Sequence, residues 1–158
     1  MLLLMDSDCL IKLTKAGLKE LVTKHETIVI PEVVRQEVVD RGKERGSSDA
    51  DIVGKNIATQ KIQVAQLKLK PLHRSGDKAL IKTFQNGKYN AVATDDRKLI
   101  RLLQALNIPF IMPGLILYAL RQRSLINRQT AFEGLNRLAE FISEDEYSTV
   151  KLLLEEKS

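Results

Sequence analysis

Short apolar runs alternate with longer amphipathic segments along most of the chain. The first run, Leu2–Met5, is wholly apolar and ends at an acidic residue, Asp6. Such short runs are typical of strands buried on both faces, and the segments between them repeat apolar residues at helical spacing. This alternation predicts an α/β fold in which a parallel sheet carries helices on both faces. The predicted strands cover residues 2–5, 27–30, 62–64, 91–94 and 109–112.

One helix is predicted directly after the first strand, because apolar residues continue at helical spacing from Leu10 through Leu18 to Val22. The last third of the chain shows helical spacing without another strand-like run. We therefore divide the chain into an α/β domain over 1–114 and a helical tail over 115–158 that packs on the same domain. The remaining predicted helices begin at Pro31, cover 49–59, begin near Gly76, and cover 97–106, 115–120, 129–141 and 144–154.

Composition narrows the class of protein. The chain has 158 residues, 44% of them hydrophobic, and Cys9 is its only cysteine, so it is expected to build a core without disulfides. No apolar stretch reaches the ~20 residues of a membrane-spanning helix. Asp6 and Asp8 interrupt the apolar amino terminus, which argues against a signal peptide. These features predict a soluble, cytoplasmic protein with no membrane partner.

Acidic residues stand where a parallel sheet binds ligands, at the carboxyl ends of its strands. Asp6 follows the first strand, and Asp95 and Asp96 follow the fourth. Glu37 lies in the helix after the second strand, and Asp77 begins the helix near Gly76. Neighbouring carboxylates repel one another, and oxygen ligands without His or Cys suit Mg²⁺ or Mn²⁺. The combination predicts a metal site, although each acid alone is more simply a helix cap or a turn residue.

Basic residues surround these acids. Residues 1–114 contain 19 Lys and Arg against 13 Asp and Glu, whereas the tail contains 6 against 7 and no candidate metal ligand. A metal-dependent nuclease requires an acidic centre in a basic surface, because the metal activates water and the basic side chains hold phosphates. Many basic residues are simply solvated. The candidates for RNA contact are Lys12, Arg41, Lys43, Arg45 and Arg97.

Four segments together resemble the motifs of PIN domains. MDSDCLIKL resembles their first strand and helix, IPEVVRQEVVDRG their second motif, and SGDKALIKTF their third. AVATDDRKLIRLLQALNIPFI resembles the fourth, in which a strand ends in Thr-x-Asp. The resemblance covers residues 2–111. The tail segment RQRSLINRQTAFEGLNRLAEF is similar to the PIN subgroup called DUF3368.

The resemblance implies a three-layer α/β/α sandwich with a central parallel sheet and the activity of an Mg²⁺- or Mn²⁺-dependent ribonuclease. Many prokaryotic relatives are toxins, which implies RNA and a small antitoxin protein as partners. Asp6, Glu37, Asp77 and Asp96 match the four acids of the family by position. Asp95 stays an alternative or additional ligand. Asp8 departs from the family, which commonly has Ser or Asn at that position.

Two other functions stay open. The first is a PIN-like module that binds RNA or protein but has lost cleavage. The second is an Mg²⁺ phosphohydrolase, because Asp6-x-Asp8 imitates the DxD pattern of such enzymes.

The tail carries an apolar stripe, which predicts that one side of its helices is buried. Packing on the parent domain is the simpler interpretation. PIN domains commonly dimerise, however, so we expect a homo-oligomer with part of the tail at or near the interface. The stripe consists of Phe132, Leu135, Leu138, Ala139, Ile142, Tyr147, Val150, Leu153 and Leu154.

Overall fold

The architecture is taken from a computed structural model that describes residues 1–31, 62–65 and 76–156. The strands are β1 (Leu2–Met5), β2 (Thr27–Pro31), β3 (Ile62–Ala65), β4 (Ala91–Ala93) and β5 (Phe110–Ile111). The helices in these ranges are α1 (Ser7–Lys15), α2 (Lys19–His25), α3 (Gly76–Gln85), α4 (Arg97–Ala105), α5 (Pro113–Gln122), α6 (Arg128–Leu138) and α7 (Glu144–Glu155). None of these helices is long and apolar enough to cross a membrane.

The strands form one sheet in the order β3-β2-β1-β4-β5, and every neighbouring pair is parallel. The first strand therefore lies at the centre of the sheet. Leu4 pairs with Val29 on one side and with Val92 on the other. This arrangement confirms the predicted parallel sheet, and it brings the carboxyl ends of β1 and β4 side by side.

Successive residues of β1 face opposite layers, as the pleat of a strand requires. Leu3 and Met5 belong to a large buried cluster that also contains residues of α1, α2, α5, α6 and α7. Leu4 points to a smaller cluster, which it shares with Leu80 of α3 and Leu103 of α4. Helices therefore cover both faces of the sheet, and the predicted three-layer α/β/α sandwich is confirmed.

The single helix predicted after the first strand is in fact two helices. α1 ends at Lys15 and α2 begins at Lys19. Gly17, between them, has a φ of 71°, a left-handed conformation that glycine adopts without steric cost. Its amide donates to the Thr14 carbonyl, and the Leu18 amide donates to the Leu13 carbonyl. This pair of hydrogen bonds is a Schellman motif, which ends α1 and turns the chain into α2.

The tail packs its helices on the same core as the sheet. Ile116 and Leu120 of α5, Leu135 of α6 and Val150 of α7 are buried in the cluster that contains Met5. Gly134 allows α6 to approach α5 closely, because a Cβ at that position would lie 3.1 Å from a methyl group of Leu117 in α5. A large part of the apolar stripe is therefore buried against the parent domain.

Candidate active site

Asp6 lies at the junction of β1 and α1, where it is the N-cap of the helix. Its amide donates to the carbonyl of Ala93 at 3.1 Å, which extends the pairing of β1 with β4 by one residue. Its Oδ1 accepts a hydrogen bond of 2.8 Å from the Cys9 amide, and its Oδ2 accepts one from the Thr94 hydroxyl. Only 9% of the residue is exposed. Asp6 is thus a buried carboxyl that two hydrogen bonds hold in one orientation.

Thr94 joins the ends of the two central strands. It directly follows β4 and is fully buried. Besides donating to Asp6, its hydroxyl oxygen accepts a hydrogen bond of 3.1 Å from the Asp96 amide. One side chain therefore contacts both of the predicted aspartate positions. The sequence showed Thr94 only as part of a Thr-x-Asp pattern and gave no indication of this bridging role.

Asp95 and Asp96 have different partners although they are adjacent. Asp96 is the N-cap of α4, and its Oδ1 accepts a hydrogen bond of 2.8 Å from the Leu99 amide. Asp95 instead forms an ion pair of 2.6 Å with Lys12 Nζ. The carboxylate of Asp95 thus has a cationic partner within the protein, whereas the carboxylate of Asp96 caps a helix and is exposed to solvent.

The acids influence one another electrostatically. Burial raises the pKa of Asp6 to about 7, although its hydrogen bonds with Thr94 and Cys9 oppose the shift; the charges of Asp8 and Asp95 raise the pKa further. The ionised form of Asp6 is thus disfavoured unless a positive charge lies near it.

Asp77 belongs to the same edge. Burial and then the charge of Asp96 raise the pKa of Asp77, and Lys98 opposes the shift. The structure therefore brings Asp77, at the start of α3, near Asp96, at the start of α4. Glu37, the remaining predicted acid, lies outside the described residues, as do Arg41, Lys43 and Arg45.

Lys12 and Arg97 are the predicted RNA-contacting residues that the structure describes. Burial by itself lowers the pKa of Lys12, but the hydrogen bond with Asp95 and the charges of Asp95, Asp8 and Glu146 outweigh it, so the pKa is raised. Lys12 thus stays charged within the acidic cluster. Arg97 is the first residue of α4 and is exposed directly beside Asp96.

Glu146 is a residue of the tail that the sequence analysis did not identify. It lies in the first turn of α7 and is 5% exposed. Its Oε2 accepts a hydrogen bond of 2.9 Å from the Gly114 amide at the start of α5. Burial raises its pKa to about 7, the Gly114 hydrogen bond opposes this, the charge of Asp95 raises it and that of Lys12 lowers it. Part of the tail therefore lies close to Asp95 and Lys12.

The sequence contains no clear signal for this position. Glu144, Asp145 and Glu146 stand together at the start of a helix, where acidic side chains usually face solvent and favour the helix dipole. Only the packing of α7 against α5 shows that one of the three is buried.

A cavity of about 300 Å³ opens beside the acidic edge. It lies between the start of α4, the segment from β5 to α5, and α7. A second cavity, of about 380 Å³, lies between α5 and the end of α7 and shares no lining residue with the first. The residues that line the first cavity are Asp95, Arg97, Ile100, Met112, Leu115, Ser143, Asp145, Glu146, Thr149 and Val150.

The ligand chemistry of the edge fits a hard divalent cation. Asp6 and Asp96 offer only oxygen atoms, and Asp6 is a buried carboxyl whose neighbours include two further acids. Within residues 1–31, 62–65 and 76–156, no group of three or more His, Cys, Asp or Glu side chains is arranged to hold a metal. Mg²⁺ commonly takes only one or two protein carboxylates and keeps several waters. A site of that kind needs no third carboxylate from the described residues.

Comparison with known proteins identifies the family. The solved structures that resemble this one include a PilT N-terminus domain protein from the hyperthermophilic archaeon Sulfolobus solfataricus P2, with 16% sequence identity and a TM-score of 0.49 over 75% of this chain and 92% of that chain. A search of curated proteins finds no match. The family model DUF3368, described as a PIN domain, matches residues 2–156. The chain therefore belongs to the DUF3368 family of PIN domains.

Proposed function

We propose that this protein is a divalent-metal-dependent endoribonuclease that hydrolyses RNA phosphodiester bonds with Mg²⁺ or Mn²⁺. The observation that carries the proposal is the contact of Thr94 with both Asp6 and the Asp96 amide. It holds two carboxylate positions at adjacent strand ends, which is where ligands bind in parallel sheets. The PIN fold is of the nuclease type, which supports the same class of reaction.

Asp6 and Asp96 would hold the metal, and Glu37 and Asp77 would contact it directly or through water. Asp95 would orient Lys12 or take part as a further ligand. When bound, the cation would offset the charge of the phosphate and lower the pKa of a water molecule, so that the water loses a proton and the resulting hydroxide can attack the phosphate. A bound cation would favour the ionised form of Asp6, because a nearby positive charge stabilises a carboxylate.

The basic residues would hold the RNA backbone. Arg97 is exposed beside Asp96, so it would contact a phosphate next to the bond that is cleaved. Lys12 would contribute while paired with Asp95. The contact would be extended along the RNA by Arg41, Lys43 and Arg45. Backbone contacts of this kind weaken as salt concentration rises.

The experiment compares cleavage of a labelled single-stranded RNA by wild type in Mn²⁺, Mg²⁺ and EDTA. Cleavage should require the metal, and the small ester p-nitrophenyl phosphate should not be hydrolysed. Mn²⁺ should also raise the melting temperature of wild type but not that of the Asp6→Asn/Asp96→Asn double variant. Glu140→Gln is the matched control, because Glu140 is an exposed acid of the tail. Cleavage that persists in EDTA, or in the double variant, would contradict the proposal.

A second candidate is a PIN domain that binds RNA or protein without cleaving it. Lys12 favours it, because its ammonium group already supplies a cation to the acidic cluster. Against it, the aspartates after β1 and β4 are both present and are joined by Thr94. RNA that binds to the pure, folded protein but stays intact in Mn²⁺ would favour this candidate.

We further propose that the protein is the toxin of a toxin–antitoxin pair and forms a homo-oligomer in the cytoplasm. The toxin role is what the resemblance to PIN domains implies, and the exposed Leu125 and Leu152, 39% and 63% accessible, offer apolar surface on the tail. A small reading frame directly upstream whose product blocks RNA cleavage would support the pairing. Light scattering that shows only monomer at micromolar concentration would contradict the oligomer.

A further inference from the structure

The cavity of about 300 Å³ beside Asp95 combines apolar walls with carboxylates. Ile100, Met112 and Val150 provide the apolar surface. Glu146 and Asp145 provide acidic groups from α7. Its size lies at the lower end of the range for small-molecule sites, roughly 300–1,000 Å³. A flat ring of moderate size fits such a space better than an extended peptide.

We propose that this cavity binds one nucleobase of the RNA next to the cleaved phosphodiester, with a preference for guanine. The inference rests on the proposed ribonuclease function and adds a substrate subsite to it.

The position of the cavity relates it to the acidic edge. Asp95 and Arg97 line it, and the residue between them is Asp96, the proposed metal ligand. A nucleotide whose phosphate lies at Asp96 and Arg97 would therefore have its base at the mouth of the cavity. Sequence-specific recognition of RNA commonly uses bases that are splayed out of single strands in this way.

The charge of the cavity selects the kind of base. Glu146 is buried, and its Oε2 accepts one hydrogen bond from the Gly114 amide. In its ionised form, which N–H donors of a ligand favour, the carboxylate has about four lone-pair positions in two oxygens and can accept further N–H groups. Guanine presents two adjacent donors, N1–H and the N2 amino group, on one edge. Uracil presents a single N–H between two carbonyl oxygens, which a carboxylate repels.

The same charges disfavour other occupants. Asp145 and Glu146 would repel a phosphate or an acidic peptide from the interior, whereas Arg97 suits a phosphate at the rim. The simpler interpretation is that Glu146 only caps α5 through Gly114 and that the cavity has no ligand. The test must separate these two roles.

Two variants change the cavity with little cost to folding. Thr149→Trp fills it from an exposed position of α7, and Ser148→Trp is the matched control, because Ser148 is exposed on the same helix but does not line the cavity. Glu146→Gln keeps an oxygen that can cap α5 but replaces a carboxylate acceptor by an amide. Circular dichroism and melting temperature would verify that each variant is folded.

The first readout is cleavage of a set of RNAs that differ only in the base beside the cut. Wild type should cleave next to guanine at least about fivefold faster, in kcat/KM, than next to uracil, the low end of discrimination by a good base contact. Thr149→Trp and Glu146→Gln should reduce this ratio towards one, while Ser148→Trp keeps it. A ratio near one in wild type, or one that Thr149→Trp leaves unchanged, would overturn the subsite.

The second readout is binding of guanosine 5′-monophosphate, followed by amide chemical shifts, which needs no cleavage. The nucleotide should shift amides around Met112 and Thr149 in wild type, more weakly in Thr149→Trp, and uridine 5′-monophosphate should bind less. If wild type cleaves no RNA but this pattern holds, the subsite stands and the ribonuclease proposal falls. If RNA is cleaved but the pattern is absent, the ribonuclease proposal stands and the subsite falls. If neither is seen, both fall.

Discussion

The ends of β1 and β4 are built in the same way but lie in different surroundings. Each strand is followed by an aspartate that caps the next helix, and each aspartate Oδ1 accepts a hydrogen bond of 2.8 Å, from Cys9 in one case and Leu99 in the other. Asp6 is nevertheless buried, whereas Asp96 is exposed. Similar local sequence has therefore produced two carboxylates with different access to water.

The difference shows which property belongs to the local sequence and which belongs to the fold. The cap needs only an aspartate before a helix. The burial of Asp6 depends on the pairing of Met5 with Ala93, which brings Thr94 against it. The raised pKa of Asp6 is thus a property of the central position of β1 rather than of its sequence.

The largest expected effect concerns cleavage and would show whether the two aspartates are equivalent in catalysis. Asp6→Asn and Asp96→Asn should each reduce kcat for RNA by about 100-fold or more, the scale for removing one charge-stabilising group from an active site. Both should stay folded, because Asn is also a good N-cap. Single-turnover cleavage in Mn²⁺ measures the effect. If only one of the two substitutions reduces cleavage, Asp6 and Asp96 have similar positions in the fold but are not equivalent in catalysis.

The next effect concerns pH and should separate the two positions. Because the pKa of Asp6 is raised to about 7, the folded state binds its proton more tightly than the unfolded state does. This stabilisation is complete below about pH 4, the pKa of an unfolded aspartate, and is lost as the pH rises towards 7. Glu146, whose pKa is raised in the same direction, should add to the loss.

Melting temperatures of the metal-free protein between pH 4 and pH 7.5 test this prediction. Wild type should become less stable across the range. Asp6→Asn should lose less stability, and the exposed Asp96→Asn should behave as wild type. A wild-type melting temperature that rises steadily from pH 5 to pH 7.5, with the same slope in Asp6→Asn, would show that the Asp6 carboxyl is not protonated in the folded state.

A smaller effect concerns the link between the two ends. Thr94→Val keeps the shape of the side chain but removes the hydroxyl, so the buried Asp6 oxygen loses its donor and the Asp96 amide loses its acceptor. We expect a loss of about 1–3 kcal/mol in the free energy of unfolding, the usual cost of unpaired buried polar groups. Thr94→Ser keeps the hydroxyl and should recover the part due to the hydrogen bonds. Urea denaturation in metal-free buffer measures both losses, and a Thr94→Val protein as stable as wild type would show that the hydrogen bonds of the hydroxyl do not stabilise the fold.

The smallest effect concerns the ion pair beside Asp96. Lys12 is 27% exposed and Asp95 10% exposed in their side chains, so solvent partly screens their attraction. Lys12→Met should cost about 1 kcal/mol or less, as partly exposed pairs usually do. Lys15→Met removes an exposed positive charge from the same helix, so it is the control for the loss of charge alone. A loss of several kcal/mol in Lys12→Met would indicate that Lys12 neutralises the whole acidic edge and not Asp95 alone.

Much of the fold could be predicted because its strands carry their own signals. The runs at β1 and β4 are apolar throughout and end at polar residues, which is how a strand buried on both faces appears in a sequence. The break between α1 and α2 was missed because apolar spacing continues through Gly17, whose left-handed conformation was not anticipated.

The candidate site was less predictable, because part of it depends on contacts between distant segments. The positions of Asp6 and Asp96 followed from the strand ends. The role of Thr94 depends on the register of two strands 88 residues apart, and that of Glu146 on the packing of α7 against α5. Neither contact leaves a periodic pattern in the sequence. The assignment of Asp6, Glu37, Asp77 and Asp96 as metal ligands stays a prediction.

The central position of β1 also has a consequence for the time course of folding. During synthesis, the first strand can pair with β2 as soon as about thirty residues have left the ribosome, because their registers are 25 residues apart. The other edge of β1 cannot pair until β4 has been synthesised. Closing the long loop between β1 and β4 is slow compared with local pairing. Asp6 therefore contacts Thr94 only after more than half of the chain has been synthesised. A nascent chain that ends before β4 would hold Asp6 without Thr94, so the nuclease that we propose would stay inactive until more than half of it has been translated.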